Sequence, residues 1–468
     1  MSIDNIKEFI EEKAEEFGAK TDVEFNKSYI LRNNTGPEAL KDDGAYFGFI
    51  HAEEETSGPY HDFSLVIFPT TIPNKPWLIC LGVGSSGFKN DYELATYPGL
   101  RRLFSKLIND KGFCKSDFSD IETGLPKTFT NNSDLQHIKN TIKKYTKVLP
   151  VCQIVDNPES EDGKKIIAAF VAAYAKLRDW PSNNNHRRAI SDALEPFLKK
   201  DTANEVEGVK DLLTERKYIV LQGPPGTGKT RTAKRVADEI KAKTFFTQFH
   251  AETSFSDFIY GIRPNTDGQQ LSYKENLGSF TKALKYAEEH KGEKVLLIVD
   301  EINRANLSNV LGPIFYLFEH KMDRSNVEIE ISPGFSISKL PDNFFVIATM
   351  NTADRSLAVV DFALRRRFAW YTLKPHILPH IVDPENFFFK DDFNKIQEIF
   401  DWYASSNELS LQPGHGYFIA ASENEMKNRI RYEIFPLIKE YLQEGLLKNA
   451  QEEFNNYFAT RINLSLFE

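Results

Sequence analysis

The sequence predicts an α/β fold built on a parallel sheet between about residues 205 and 375, preceded by a separate α+β domain and followed by a mostly helical region. Three observations carry that prediction. Apolar strand-like runs alternate with amphipathic helices across the span, as in a sheet covered by helices. One run, Tyr218-Ile-Val-Leu-Gln222, opens directly into Gly223-Pro-Pro-Gly-Thr-Gly-Lys-Thr230 and then a helical stretch, 231–241. Another, Val295-Leu-Leu-Ile-Val299, ends in Asp300-Glu301.

The chain has 468 residues, too many for one ordinary core, so two or three domains are expected. Its 27% charged and 41% hydrophobic residues are those of a soluble globular protein. A net charge of −9 argues against a wholly basic nucleic-acid binder and leaves room for a local basic patch. No apolar run is long enough to cross a membrane. The opening MSIDNIKEFIEEKAEEFG reads as an acidic amphipathic helix rather than a signal peptide. Three cysteines, Cys80, Cys114 and Cys152, are widely spaced without a metal-ligand pattern, so a reducing cytoplasm is the expected location. The ten histidines show no ligand spacing either.

In chain order, an opening helix leads to strand-like runs at 45–50, 63–68 and 77–83, separated by Gly/Pro/Asn-rich turns. Helical patterns follow at 99–110 and 133–145, which makes residues 1–155 an α+β domain. A polar break at 156–163 opens a helical linker, 156–204, with helices expected at 164–179 and 186–199. The α/β core spans 205–375, and 376–468 is mostly helical and rich in Phe and Tyr. No internal repeat or low-complexity tract is present.

The chemistry sits in the core. The pattern G-x-x-x-x-G-K-[ST] between a strand and a helix aims backbone N–H groups and a helix N-terminus at phosphates. Gly223, Pro224, Pro225, Gly226, Thr227, Gly228, Lys229, Thr230 and Arg231 are the expected phosphate cradle. Lys229 is placed to neutralise the β- and γ-phosphates, and the Thr230 hydroxyl to ligate Mg²⁺. Asp300, delivered by a buried strand, is the second expected Mg²⁺ contact, usually through water. Glu301 is the expected base for the attacking water. A further strand ends in Asn351, which should face the γ-phosphate and its water, because ligands of such sheets sit at the carboxyl ends of strands. Asp354 and Arg355 follow closely enough to help place them. Three arginines in a row, Arg365, Arg366 and Arg367, read either as a solvated face or as a source of an arginine finger, worth roughly 10³–10⁵ in rate.

These residues resemble the McrB branch of the AAA+ proteins. The segments that carry the resemblance are GPPGTGKT, QFHAETSFSDFIYGIRPN at 248–265, DEINRANLSNV at 300–310 and MNTADRSLAVVDFALRRRF at 350–368. A weaker echo, PGHGYF at 413–418 with FPLIKEYL at 435–442, is similar to the family's lid, so the resemblance covers about 205–468. It implies a GTPase that forms a hexameric ring and serves as the motor of a modification-dependent restriction and anti-phage system. It further implies Mg²⁺, Asn351 as the sensor that positions the water, and a separate nuclease subunit of the McrC type with a PD-(D/E)XK site. No N-K-x-D guanine motif stands where one is expected. The base contacts must come from elsewhere, such as Phe249-His250 or the lid, and ATP stays open as the substrate. Two other readings stay open as well: an ATP-dependent protein-remodelling chaperone of the MoxR-like kind, and a nucleotide-gated binding scaffold.

Residues 1–155 resemble no recognised domain, and the resemblance of the rest of the chain implies that they recognise the target, often modified DNA. Two basic clusters could contact DNA phosphates: Arg101, Arg102 and Lys106 on one expected helix, and Lys139, Lys143 and Lys147, with Lys144 beside them, on another. The same spacing describes a solvated basic face. Tyr46, Phe47, Phe49, Tyr60 and Trp77 could line a pocket for a flipped base, but alternating with small residues on strands they read better as core. No nuclease constellation of carboxylates and lysine is visible, so this chain is not expected to cut DNA itself.

Overall fold

The computed structural model describes residues 3–21, 27–41, 43–198, 205–265, 272–319, 328–353 and 362–467. It divides into two compact units, one of residues 1–201 with 402–404, the other of 202–401 with 405–468.

The first unit is built on an antiparallel sheet of β1 (Ile30–Asn34), β2 (Tyr46–Ile50), β3 (Phe63–Phe68), β4 (Trp77–Val83), β5 (Gly112–Cys114) and β6 (Val151–Val155), in the order β1-β2-β3-β4-β6-β5. Every residue of β3, β4 and β6 is buried, which is why these strands read as continuous apolar runs rather than alternating ones. One face packs Phe47, Phe49, Leu65, Trp77 and Ile79 with Ile167, Phe170 and Tyr174. The other packs Val66, Phe68, Leu78 and Cys80 with Leu135 and Ile142. Phe47, Phe49 and Trp77 are thus core residues, and Tyr46 and Tyr60 are half-buried.

The expected linker, 156–204, is corrected here. Its first helix, Glu161–Leu177, buries eleven residues against the sheet and belongs to this core. The stretch Ile166-Ile-Ala-Ala-Phe-Val-Ala-Ala-Tyr-Ala175 is apolar all round, the signature of a buried helix rather than of a tether. The helix Asn184–Leu194 adds Ile190 and Leu194 to the same cluster.

Just after the long helix, Arg178 forms a buried ion pair with Asp91 at 2.8 Å, the two side chains 6% and 4% exposed. Arg178 also donates to the Phe63 carbonyl (2.6 Å), and Asp91 accepts from the Phe63 N–H (2.8 Å), so the pair ties helix and loop to β3. Removing one partner strands a charge in low dielectric. Asp91→Ala is expected to cost about 3–5 kcal/mol, read as a lowered midpoint for this unit in urea unfolding of the full chain.

The second unit carries a parallel sheet of β7 (Tyr218–Gly223), β8 (Lys243–Gln248), β11 (Val295–Asp300), β14 (Phe344–Asn351) and β15 (Ala369–Thr372). Two antiparallel hairpins interrupt the sequence between them, β9 (Tyr260–Asn265) with β10 (Ser272–Leu277), and β12 (Ile329–Ser332) with β13 (Phe335–Ile337). The sheet order is β15-β7-β14-β11-β8, so β7 is flanked by the last two strands and its following loop opens at a topological switch point. The register pairs Asn351 with Gly223 and Asp300 with Gln248, which brings the ends of β7, β14, β11 and β8 level.

The C-terminal part is helical as expected, with Lys390–Tyr403, Glu423–Arg429, Phe435–Gln443 and Gln451–Ile462. A small sheet of β16 (Ile381–Asp383), β17 (Asn386–Phe388) and β18 (Ile419–Ala420) accompanies them. Asp392 is 8% exposed and accepts from Arg461 at 2.7 and 2.8 Å and from the Tyr457 hydroxyl at 3.0 Å, which joins the first of these helices to the last. Among the described residues, no helix is long and apolar enough to cross a membrane.

Candidate active site

β7 ends where the loop begins. Gly226 and Gly228 have φ of 78° and 75°, in the left-handed region that a side chain disfavours, and Gly228 caps the helix Lys229–Glu239. The orphan N–H groups of that helix's first turn therefore sit at the end of the loop, a ready anion site. Lys229 is buried, and its ammonium spans the loop by donating to the carbonyls of Gly223 (3.0 Å) and Pro224 (2.8 Å). Thr227 closes the turn through its hydroxyl to the Pro224 carbonyl (2.8 Å).

Asp300 is the hub of the second half. Its Oδ1 accepts from the Thr230 hydroxyl and from the Thr349 hydroxyl, both at 2.7 Å. Thr349 accepts in turn from the Glu301 N–H at 3.1 Å, so it fixes the two carboxylates relative to each other. Glu301 leaves the strand with φ 56° and ψ 48°, an unusual backbone for a non-glycine residue and worth about 1–3 kcal/mol of strain. That turn places its Oε1 2.5 Å from the Asn351 amide, while its Oε2 lies 3.5 Å from Arg304 Nε. Sequence reasoning missed Thr349: strand alternation puts it on one face with Asn351, but what it contacts is set by the pairing of β11 with β14.

A hydroxyl and a carboxylate in direct contact form a hard, all-oxygen donor pair, which suits Mg²⁺, an ion that keeps several waters and bridges to phosphate. Thr230 and Asp300 would hold it, and it would supply charge neutralisation at the phosphates.

The lid segment lies against the phosphate loop through backbone. Gly414 N–H donates to the Pro225 carbonyl (2.9 Å) and Gly416 N–H to the Gly226 carbonyl (2.8 Å). Thr352 adds a hydroxyl bond to the Ser410 carbonyl (3.1 Å). His415 is buried next to Gly228, and its ring stands 4.3 Å from that of His376, which is 3.4 Å from the Glu205 carboxylate. Burial, reinforced by the charges of His376 and Arg231, pushes His415 down to about 4, whereas the Glu205 hydrogen bond holds His376 above its usual value. His415 is therefore neutral in the folded chain at pH 7, and protonating it puts a charge beside Arg231. A depressed histidine costs stability as the pH falls below its unfolded value of 6.5 toward 4. The Tm of the wild-type chain is expected to fall faster than that of His415→Gln between pH 7 and 4.5, measured by thermal unfolding.

Other expected site residues are distributed as follows. Arg366 and Arg367 meet the Glu319 carboxylate, and Arg365 lies over Trp370. Arg231 is exposed on the first turn of its helix. Asp354 and Arg355 lie outside the described residues. Phe249 is core, 1% exposed and packed 5.0 Å from Phe258, so it is not placed to read a base, while His250 is exposed. Arg101 and Arg102 are half-buried on the helix Pro98–Leu107, and Lys106 is exposed. The second basic cluster is shorter than expected. The helix Lys139–Tyr145 carries Lys139 and Lys143 exposed at i,i+4, but Lys147 lies beyond its end and pairs with Glu122 at 3.1 Å. Among the described residues, no cluster of three or more His, Cys, Asp or Glu forms a metal site.

A sheet that sets a phosphate loop opposite an Asp–Glu strand end, with an asparagine at the next strand's tip, defines a class, the AAA nucleoside triphosphatases. Residues 218–368 match the AAA domain (dynein-related subfamily). Within that class the chain is similar to subunits of restriction systems. It is 31% identical over 303 residues to the Type IV methyl-directed restriction enzyme EcoKMcrB subunit of Escherichia coli (strain K12), covering 59% of this chain and 64% of that protein. It is 28% identical over 193 residues to the Type II restriction enzyme BsuMI component YdiS of Bacillus subtilis (strain 168), covering 33% of this chain and 56% of that protein. The chain thus spans less than two thirds of the length of each of these relatives.

Proposed function

We propose that this chain is the nucleotide-driven motor of a McrBC-like restriction and antiviral system. It hydrolyses GTP with Mg²⁺ at interfaces between copies in a hexameric ring, and so drives a separate nuclease subunit of the McrC-like, PD-(D/E)XK type on DNA. The observation that carries this reading is the chain of contacts Asn351–Glu301–Thr349–Asp300–Thr230 beside the phosphate loop. It presents a carboxylate held for proton removal next to donors that suit a phosphate-bound Mg²⁺.

In the reaction, a water oxygen bonds to the γ-phosphorus as the bond to the β–γ bridging oxygen breaks. Glu301 takes the water's proton, and Asn351 holds Glu301 and the water in line. Lys229 and the helix N-terminus neutralise charge on the phosphates. Resemblance to a restriction-system motor favours GTP over ATP, and the two restriction relatives favour a nuclease partner.

The first unit would bring the motor to DNA, which can be modified DNA. Lys139 and Lys143, adjacent on one helical face, are the better-placed phosphate contacts. Reversing both to Glu is expected to weaken DNA binding and to lower the salt slope of log K by about 2, measured by fluorescence anisotropy across a salt series.

The function is tested by affinity capture of Glu301→Gln from its native cells in excess GTP and in excess ATP. Co-purification of a chain bearing a nuclease site, in GTP above all, supports the proposal. Capture of varied client proteins in ATP without a nuclease points instead to protein remodelling.

A further inference from the structure

We propose that Glu319 is a positioning residue that aims Arg366 at the nucleotide of an adjacent copy. The inference rests on the interface hydrolysis proposed above and assigns within it the arginine that acts in trans.

The three consecutive arginines have three different surroundings. Arg365 lies over the ring of its own Trp370, 5.0 Å from the centroid. Arg367 is 13% exposed, lies over Phe315 at 5.2 Å and stands 2.5 Å from Glu319 Oε1. Arg366 is 69% exposed and meets the same Glu319 oxygen. Glu319 itself is 11% exposed and caps the turn Gly312–Phe318 through its N–H to the Tyr316 carbonyl.

One carboxylate with two guanidinium partners has a specific consequence. A desolvated carboxylate is costly to leave without a counter-charge, and Arg367, half-buried beside it, supplies one permanently. Arg366 can therefore leave for a phosphate without stranding Glu319. Until then Glu319 holds a long, exposed side chain in one orientation and removes rotamer freedom that would otherwise be lost at the moment of reaction. A phosphate oxygen cluster carries more charge than one shared carboxylate and takes Arg366 from it when a neighbour presents nucleotide. Arg365 is exposed as Arg366 is but lies over Trp370 of its own chain, and Arg367 lies over Phe315, whereas Arg366 is exposed and oriented by a carboxylate that keeps a second partner.

The test is complementation between variants in the full chain, read as steady-state hydrolysis of GTP, or of ATP if wild type turns over ATP instead. Glu319→Ala alone should lower kcat by up to about 10²-fold, with the affinity for a fluorescent nucleotide unchanged. Glu319→Gln keeps the volume and serves as the second variant should the alanine form fold poorly. Glu319→Ala supplies an intact hydrolytic site and a misaimed arginine, whereas Glu301→Gln supplies the reverse. Mixed in equal amounts before assembly, two poorly active proteins should regain about a quarter of the wild-type rate, the share of interfaces that pair an intact site with an intact arginine. Arg366→Ala mixed with Glu301→Gln should recover equally.

Recovery with Arg366→Ala but with neither Glu319 variant would overturn the role of Glu319 and leave interface hydrolysis standing. Recovery in no mixture would overturn interface hydrolysis and this inference with it. A loss of rate with Arg365→Ala or Arg367→Ala but not with Arg366→Ala would overturn the assignment of Arg366.

Discussion

Glu301→Gln is expected to bind nucleotide as tightly as the wild type and to turn it over roughly 10²–10⁴-fold more slowly. The amide is isosteric with the carboxylate, so the contacts from Asn351 at 2.5 Å and from the Glu301 backbone to Thr349 have equivalents in the variant. What disappears is the capacity to take a proton. Binding depends on the phosphate loop, the Lys229 ammonium and the helix N-terminus, none of which is touched. The measurement pairs a fluorescent-nucleotide titration with phosphate release under saturating nucleotide. Equal affinity with a collapsed rate supports general-base chemistry at Glu301. A rate within a few-fold of wild type would assign the proton elsewhere.

Gly414→Ala is expected to weaken nucleotide binding although the residue lies in the lid segment and not in the phosphate loop. A β-carbon there would lie 2.2 Å from the Gly226 carbonyl carbon, 2.4 Å from its oxygen and 2.5 Å from the Thr227 nitrogen. All three are backbone atoms of the phosphate loop, and none can rotate aside as a side chain would. Either the lid segment lifts, losing the Gly414 and Gly416 hydrogen bonds, or the loop distorts. Overpacking of this kind costs about 1–3 kcal/mol or more, roughly 10–100-fold in nucleotide affinity. Gly292→Ala is the control, since a β-carbon there meets nothing within 4 Å. If Gly414→Ala binds nucleotide like that control, the lid and loop are not coupled through this contact.

These two cases also show what the sequence discloses. Glu301 was legible because the phosphate loop and the Asp300-Glu301 strand end are contiguous motifs, each containing its own chemistry. Asn351 was legible for the related reason that a parallel sheet puts strand ends on one edge. Thr349 and Gly414 were not, since their roles depend on pairing between segments far apart in sequence. Thr349 needs the β11–β14 register, and Gly414 needs a lid folded back onto residue 226 from nearly two hundred positions away.

In the first unit the apolar strands β3 and β4 stood out, while β1, with the sequence ILRNN, and β5, three residues long, lack enough pattern to be seen. The helix 161–177 was recognised as helix yet assigned to a linker. A polar break before it looked like a domain boundary, and its all-round apolar surface was given too little weight. Lys147 shows a related limit: helical spacing is informative only as far as the helix extends, and this one stops at Tyr145.

The most direct measurement is the initial rate of phosphate release from GTP and from ATP, with Mg²⁺, by the purified chain over a wide range of protein concentration. The expected result is hydrolysis whose rate per protomer rises with concentration as interfaces form, higher for GTP and abolished in Glu301→Gln. A rate per protomer independent of concentration would place the whole catalytic set within one copy, and no hydrolysis of either nucleotide at any concentration would contradict the motor itself.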